Sequence, residues 1–129
     1  MGNQMIMLDT SILIEFFRKK NKSETRYFQL SKKFDGLFCV SSVTVFEIYR
    51  GVKGDQKELW DAFFTSITVL HFDKQAALIA AQLDMDLKMI RQQSDWPDLW
   101  IAATAVANQI PLATINQKHF EKIESLKIV

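Results

Sequence analysis

The sequence predicts an α/β fold with a mainly parallel sheet and helices on both faces of that sheet. Short apolar segments alternate along the chain with longer helical ones, which is the order that parallel strands and their crossover helices produce. Strands are expected at residues 5–8, 37–40, 67–72 and 112–115, with a further edge strand at 126–129. Ligand sites in such sheets lie beyond the carboxyl ends of the strands, and both Asp9 and Asn116 directly follow a predicted strand.

The helices are placed by the residues that precede them. Hydroxyl and carboxyl side chains at 9–11, 41–42 and 73 can accept hydrogen bonds from the first N–H groups of a helix. Pro97, in the first turn of another helix, has no N–H to lose there. The predicted helices run from residue 10 to about 18, over 24–34, from 42 to between 51 and 54, over 55–64, over 74–92, from 95 through the apolar run that follows, and over 117–123.

The composition predicts one globular domain over residues 1–129, in which residues 1–4 form a disordered leader. Hydrophobic residues make up 48% of the chain and charged residues 24%, so a substantial core is expected. A formal net charge of +1 does not indicate the strongly basic surface that is typical of a nucleic-acid-binding domain. Basic side chains after the first helix leave open either a local nucleic-acid patch or an ordinary solvated helix end. They are Arg18, Lys19, Lys20, Lys22, Arg26, Lys32 and Lys33.

Cysteine usage and hydropathy favour a cytoplasmic protein without a membrane segment. Cys39 is the only cysteine and lies in an apolar segment, where a buried small hydrophobic side chain is expected. No apolar stretch approaches the ~18 residues of a membrane span, and no signal peptide is present. A single cysteine also rules out a cysteine-rich zinc site.

Two aspartates stand beside apolar segments, each with a structural alternative. Asp9 follows a buried strand and precedes a helix, so it is either a site residue or an N-cap acid favoured by the helix dipole. Asp98 opens the run DLWIAATA, which is apolar nearly all round and therefore predicts a buried helix. An acid on such a helix needs a partner, unless Asp95 is the N-cap and Asp98 the acid of a capping box.

Glu47 and Asn116 are weaker candidates on their own. The strongest apolar face of the Glu47 helix lies roughly opposite this residue, so a solvent-facing Glu47 near Arg50 is the alternative to a site residue. Gly51, one turn on, is a weak hint that a backbone or ligand approaches closely. Asn116 is of a type common in turns and at helix N-caps.

Taken together, the four segments resemble the motifs of PIN-domain proteins. LDTSILI at residues 8–14 resembles the opening motif, FEIYRG at 46–51 the second, DLWIAATA at 98–105 the third, and LATINQKHF at 112–120 the fourth. Their order and spacing also fit, over nearly the whole chain. The length and the motifs look most similar to VapC-like toxins of bacterial toxin–antitoxin pairs.

This resemblance implies a three-layer sandwich and a metal-dependent endoribonuclease. The family's acids map to Asp9, Glu47 and Asp98, which would hold Mg²⁺ or Mn²⁺. The fourth acidic position falls on Asn116, and that neutral amide puts a second metal ion in doubt. Thr114 matches a hydroxyl position that could hold a water or the outer shell of the metal.

The resemblance also implies three partners. The first is an RNA substrate, such as tRNA or another structured RNA. The others are a cognate antitoxin that docks near the active site and a second copy of the chain in a homodimer.

Two alternatives to this function stay open. One is a PIN-like interaction module that has lost its chemistry, and the other is an RNA-processing nuclease outside toxin biology. For reading unpaired bases, Tyr49, Trp96 and Trp100 are candidates that could equally be core residues.

Overall fold

The computed structural model describes residues 4–129. Of the predicted leader, only Gln4 lies within these residues, and it is exposed. The strands are β1 (Ile6–Leu8), β2 (Phe38–Ser41), β3 (Thr68–Leu70) and β4 (Leu112–Ala113). They form one sheet in the order β3-β2-β1-β4, in which every pair is parallel. The predicted α/β class with a parallel sheet is confirmed.

Helices connect these strands. They are α1 (Thr10–Arg18), α2 (Arg26–Lys33), α3 (Ser42–Tyr49), α4 (Gln56–Ser66), α5 (Lys74–Met89) and α6 (Trp96–Ala107), with 3₁₀ turns at Lys22–Glu24 and Gln117–His119. Two of the three predicted caps form: Ser41 Oγ accepts from the Val43 N–H at 3.1 Å, and Asp73 Oδ1 accepts from the Ala76 N–H at 3.0 Å. Within residues 4–129, no helix is both long and apolar enough to cross a bilayer.

The sheet separates two hydrophobic cores because successive strand residues point to opposite faces. Met7 and Cys39 belong to the core beneath α5 and α6, whereas Ile6 and Leu8 pack against α1, α2 and α4 on the other side. This arrangement is the predicted sandwich of a sheet between two helical layers. Cys39 is fully buried, as expected, and burial raises the pKa of its thiol to about 12.

The predictions for the end of the chain were partly wrong. β4 ends at Ala113 instead of 115, because the hydroxyl of Thr114 accepts the Asn116 N–H that a longer ladder would use. Residues 117–123 form only the short 3₁₀ turn, after which Phe120 turns into the core. The segment 126–129 makes a single parallel bridge, from Ile128 to Leu112, because β4 is too short to support a full edge strand.

Two helices also end earlier than predicted. After Tyr49 the backbone tightens into turns, in which the Gly51 N–H bonds to the carbonyl of Ile48, so α3 does not reach residues 51–54. α5 ends at Met89 because Arg91 adopts a positive φ of 57°, which a helix does not accommodate.

Candidate active site

Asp9 lies at the carboxyl end of β1, where two hydroxyl groups hold its side chain. Its backbone N–H bonds to the Ala113 carbonyl at 2.9 Å, and the residue is only 3% exposed. Oδ2 accepts hydrogen bonds from Ser11 Oγ at 2.8 Å and from Thr114 Oγ1 at 2.7 Å. Both donors bond to Oδ2. The other oxygen, Oδ1, has no hydrogen-bond partner within residues 4–129 and keeps some exposure to solvent. Although Asp9 occupies the N-cap position of α1, its side chain makes no capping bond.

The loop after β4 fixes the donors to Asp9. The Asn116 N–H donates to Thr114 Oγ1 at 2.9 Å, and the Ile115 N–H donates to Ser11 Oγ at 3.3 Å. The backbone of Asn116 therefore supports Asp9 through Thr114, whereas the Asn116 side chain is exposed and makes no capping bond. Thr114 thus orients an acid directly, a role more specific than the water site that the resemblance implied.

Glu47 lies on α3, half-buried, and is tied to the residue that follows Asp9. Thr10 Oγ1 donates to Glu47 Oε1 at 2.7 Å and lies 3.0 Å from Thr44 Oγ1. Glu47 is therefore held by Thr10, while the Arg50 guanidinium lies over the Phe46 ring at 5.5 Å and forms no ion pair with Glu47.

The weak hint from Gly51 finds no support in the packing. Glu47 and Gly51 both line an open groove of about 390 Å³ between α1, α3 and α4. A Cβ added at Gly51 would meet only the Ile48 carbonyl oxygen, at an ordinary contact distance of 3.7 Å. Space in this groove therefore does not require glycine.

Asp98 lies in the first turn of α6 and has the partner that its apolar surroundings demand. Its Oδ2 lies 3.1 Å from His119 Nδ1, and its side chain is 20% exposed. Burial raises the pKa of the Asp98 carboxyl, and the negative charge of Asp9 raises it further, while the hydrogen bond to His119 acts against both. The capping-box alternative finds no support, since Asp95 makes no side-chain capping bond.

We call the three acids Asp9, Glu47 and Asp98 together the acid pocket. They are linked in two pairs. Thr10 connects Asp9 to Glu47, and Asp9 acts electrostatically on Asp98. No three His, Cys, Asp or Glu side chains of residues 4–129 are already gathered as a ligand set around one point. Instead, one oxygen of each acid has a hydrogen-bonding side chain beside it: Ser11 and Thr114 at Asp9, Thr10 at Glu47, and His119 at Asp98.

Sequence reasoning missed three polar side chains of this site. Thr10 and Ser11 were interpreted only as capping residues of α1, although their hydroxyls hold Glu47 and Asp9. His119 is 53% exposed, yet its ring contacts Asp98. The two hydroxyls directly after Asp9 were the available signal, whereas no local pattern pairs His119 with Asp98.

The contacts of the three aromatic candidates for reading unpaired bases differ. Tyr49 donates a hydrogen bond to Asp61 and so has a structural partner, while Trp100 packs against Phe72. Trp96 is 55% exposed and stacks on Trp100.

In the basic cluster, several cations are engaged by their own helices and loops. Lys19 pairs with Glu15 at 3.6 Å, and Lys22 and Lys32 lie over the rings of Phe16 and Phe28. These local contacts favour the solvated helix end over a nucleic-acid patch.

The comparison with protein families settles the membership of the chain. The model of the PIN domain matches residues 6–126, which include every residue of the acid pocket. The chain belongs to the PIN-domain family. Similar PIN-domain proteins include Ribonuclease VapC1 of Methanocaldococcus jannaschii, 29% identical over 120 residues that cover 92% of this chain and 81% of that protein. The tRNA(fMet)-specific endonuclease VapC of Shigella flexneri is 29% identical over 126 residues, covering 94% and 93%.

Solved structures of the same kind share the whole fold. VapBC2 from Rickettsia felis, bound to a DNA fragment from the promoter, superposes with a TM-score of 0.82 at 26% identity and covers 98% of both chains. DNA-bound VapBC from Salmonella typhimurium gives a TM-score of 0.81 at 27% identity, covering 98% of this chain and 97% of that one. The resemblance to VapC-like PIN-domain proteins and the PIN-like sandwich are both confirmed.

Proposed function

We propose that this PIN-domain chain is an endoribonuclease that cleaves RNA phosphodiester bonds at the acid pocket and acts as the toxin of a toxin–antitoxin pair. The observation that carries the proposal is the position of Asp9, buried at the carboxyl end of β1 with one carboxylate oxygen held and the other free. The relatives that match most of the chain are named as VapC ribonucleases, and one as a tRNA endonuclease.

The acid pocket suits a hard divalent cation. Its donors are carboxylate oxygens, which Mg²⁺ and Mn²⁺ prefer. The raised pKa of Asp98 supports this fit, since burial and the charge of Asp9 destabilise a second carboxylate that a cation would stabilise. Asp9, Glu47 and Asp98 would hold the ion. When bound, such an ion polarises a phosphoryl oxygen and lowers the pKa of a bound water.

The surrounding side chains orient the acids for metal binding. Ser11 and Thr114 hold Asp9 by Oδ2 and keep Oδ1 available, while Thr10 fixes the direction of Glu47. Fixed carboxylates need little rearrangement when substrate arrives, which favours the transition state. Asn116 adds no charge, so its proposed role is toward the substrate.

Cleavage of RNA tests the proposal. Purified protein is incubated with a tRNA pool and other structured RNA in Mg²⁺, Mn²⁺ or EDTA. We expect metal-dependent cuts that Asp9→Asn reduces by about 100-fold or more, because the substitution removes a metal-ligand charge. Asp35→Asn is the matched control: it makes the same charge change in an exposed turn with a φ of 58°, which asparagine accepts. Equal cleavage by a folded Asp9→Asn variant would refute the site.

A second candidate function is that of an interaction module without chemistry, and Asn116 is the residue that favours it. Calorimetry separates the two functions, because a nuclease should bind Mn²⁺ at millimolar concentrations and a module that has lost its site should not. Absence of Mn²⁺ binding together with absence of cleavage would favour the module.

The proposed protein partners are a cognate antitoxin and a second copy of this chain. The structural relatives are VapBC assemblies. We expect the product of a short reading frame directly upstream to copurify with this chain and to inhibit its cleavage of RNA. The cytoplasm is the proposed location, in keeping with a lone, buried cysteine.

A further inference from the structure

We propose that the loop 115–119 forms a subsite for an unpaired RNA nucleotide next to the scissile phosphate. In this subsite, Lys118 contacts a phosphate, and the amides of Asn116 and Gln117 contact the edge of a base. The inference rests on the proposed function of the acid pocket and adds to it a recognition element.

The loop is attached to two acids of the pocket. At its start, Thr114 donates to Asp9 Oδ2 at 2.7 Å, and at its end His119 Nδ1 lies 3.1 Å from Asp98 Oδ2. The buried ring of Phe120 anchors the chain directly afterwards. A strand of RNA with its phosphate at the acid pocket therefore passes beside this loop.

The loop itself is held in shape by its backbone. The His119 N–H bonds to the Asn116 carbonyl at 2.9 Å, and the Glu121 N–H bonds to the Gln117 carbonyl at the same distance. A loop whose backbone is held in this way presents its side chains at defined positions, which lowers the entropic cost of binding.

An open groove of about 500 Å³ runs along the loop. It is lined by Ile115, Asn116, Gln117, Lys118, His119 and Glu121. Within residues 4–129, the side-chain amides of Asn116 and Gln117 make no hydrogen bond, and Lys118 forms no ion pair. These groups are exposed and free to meet a ligand.

The chemistry of the groove fits an unpaired nucleotide. Amide side chains pair with the donor and acceptor pattern of a base edge, and lysine binds phosphate as a point charge. Ile115, which is 45% exposed, offers an apolar contact to the face of a base. A base reaches such groups only when it is unstacked and unpaired, so the subsite selects loops and single strands over duplex RNA. Lys118 supplies the positive charge of the lining, against one acid in Glu121.

Binding measurements test the phosphate contact. We measure the affinity of labelled single-stranded oligoribonucleotides, in Mg²⁺ and at several salt concentrations, for chains carrying Asp9→Asn to prevent cleavage. Adding Lys118→Gln should weaken binding for every sequence and reduce the salt slope by about 0.7, the value for one single-strand phosphate contact. Lys127→Gln is the matched control, since Lys127 is an exposed lysine next to the amino end of β4, where its carbonyl bonds to the Leu112 N–H.

Cleavage-site sequencing tests the base contact. Wild type, Gln117→Ala and Asn116→Ala are each incubated with an RNA library that is randomised around an unpaired loop. We expect either alanine variant to relax the preference at one position by about 5- to 100-fold. Gln29→Ala, an exposed glutamine on α2, should keep the wild-type preference.

The outcomes separate this inference from the proposed function. Metal-dependent cleavage by wild type, with unchanged affinity, salt slope and site preference in the loop variants, would overturn the subsite and leave the nuclease standing. If the loop variants cleave RNA like wild type but change the molecular mass of the assembly in solution, the loop belongs to a protein interface. That result would also overturn the subsite. If wild type binds and cleaves no RNA in any metal, the proposed function fails, and the subsite fails with it.

Discussion

Thr10 Oγ1 donates a hydrogen bond of 2.7 Å to Oε1 of Glu47, so the residue directly after Asp9 orients another acid of the pocket. The two residues are 37 positions apart in the chain. β1 delivers Asp9 and Thr10 to the same edge of the sheet at which β2 ends and α3 begins. The hydroxyl groups in the first turn of α1 therefore bind the acids of the pocket and do not cap the helix.

Replacing Thr10 by valine should reduce cleavage without removing any acid. Valine keeps the shape but loses the hydroxyl, so Glu47 becomes free to turn away. Because hydrogen bonds to charged groups contribute about 1.5–3 kcal/mol, we expect kcat/KM to fall by about tenfold or more. Thr10→Ser, which keeps the hydroxyl, should retain most of the activity. If valine and serine variants cleave RNA equally, Thr10 does not position Glu47.

Removing the charge of Asp98 should stabilise the metal-free protein at neutral pH. The pKa of this carboxyl is raised in the folded state, so the ionised form costs stability above the ordinary aspartate pKa. That cost is absent well below the ordinary pKa, appears as the pH rises toward the folded-state value, and is complete above it. In EDTA at pH 7, Asp98→Asn should raise Tm by roughly 3 °C, corresponding to about 1 kcal/mol.

Thermal melts at two pH values check the assignment to Asp98. Below the ordinary aspartate pKa the difference between wild type and Asp98→Asn should disappear, because both side chains are then neutral. Asp35→Asn serves as the exposed control and should leave Tm unchanged at both pH values. A lower Tm for Asp98→Asn at pH 7 would contradict the prediction.

Divalent cations should stabilise the folded chain through the acid pocket. A ligand that binds only the folded state adds about 2.7 kcal/mol at a concentration of 100 Kd, so Mn²⁺ should raise Tm in a concentration-dependent way. Asp9→Asn should lose most of this effect, and differential scanning calorimetry measures both proteins without any RNA. An equal Mn²⁺ response in the Asp9→Asn variant would place the ion elsewhere.

Cys39 should be inert toward alkylation while the chain is folded. Its thiol is fully buried beneath α5 and α6, and its pKa is raised to about 12, so almost no thiolate exists at pH 8. Iodoacetamide followed by mass spectrometry should show modification only after unfolding in guanidinium chloride. Rapid modification of the native chain at pH 8 would contradict the burial of this strand.

Local patterns predicted most of the elements because their physical causes are local. The cap at Asp73 and the apolar β1 segment can be recognised from neighbouring residues alone. At the end of the chain the errors arise where side chains override the backbone pattern: Thr114 ends β4 early, and Phe120 turns into the core where a helix was expected. The first deviation comes from a hydrogen bond between residues two positions apart, whereas the second comes from burial of Phe120 against distant elements.

The sequence by itself determined the α/β class, the order of strands and helices, the acids Asp9, Glu47 and Asp98 as candidates, and a resemblance that the family comparison confirmed. Only the tertiary structure decided how those acids are held. Thr114 and Asp9 are 105 residues apart, and His119 and Asp98 are 21 apart, yet each pair is in hydrogen-bonding distance. The physical reason is that parallel pairing of β1 with β4 brings distant strand ends to one edge, and no local periodicity encodes which hydroxyl or imidazole will meet which carboxylate there.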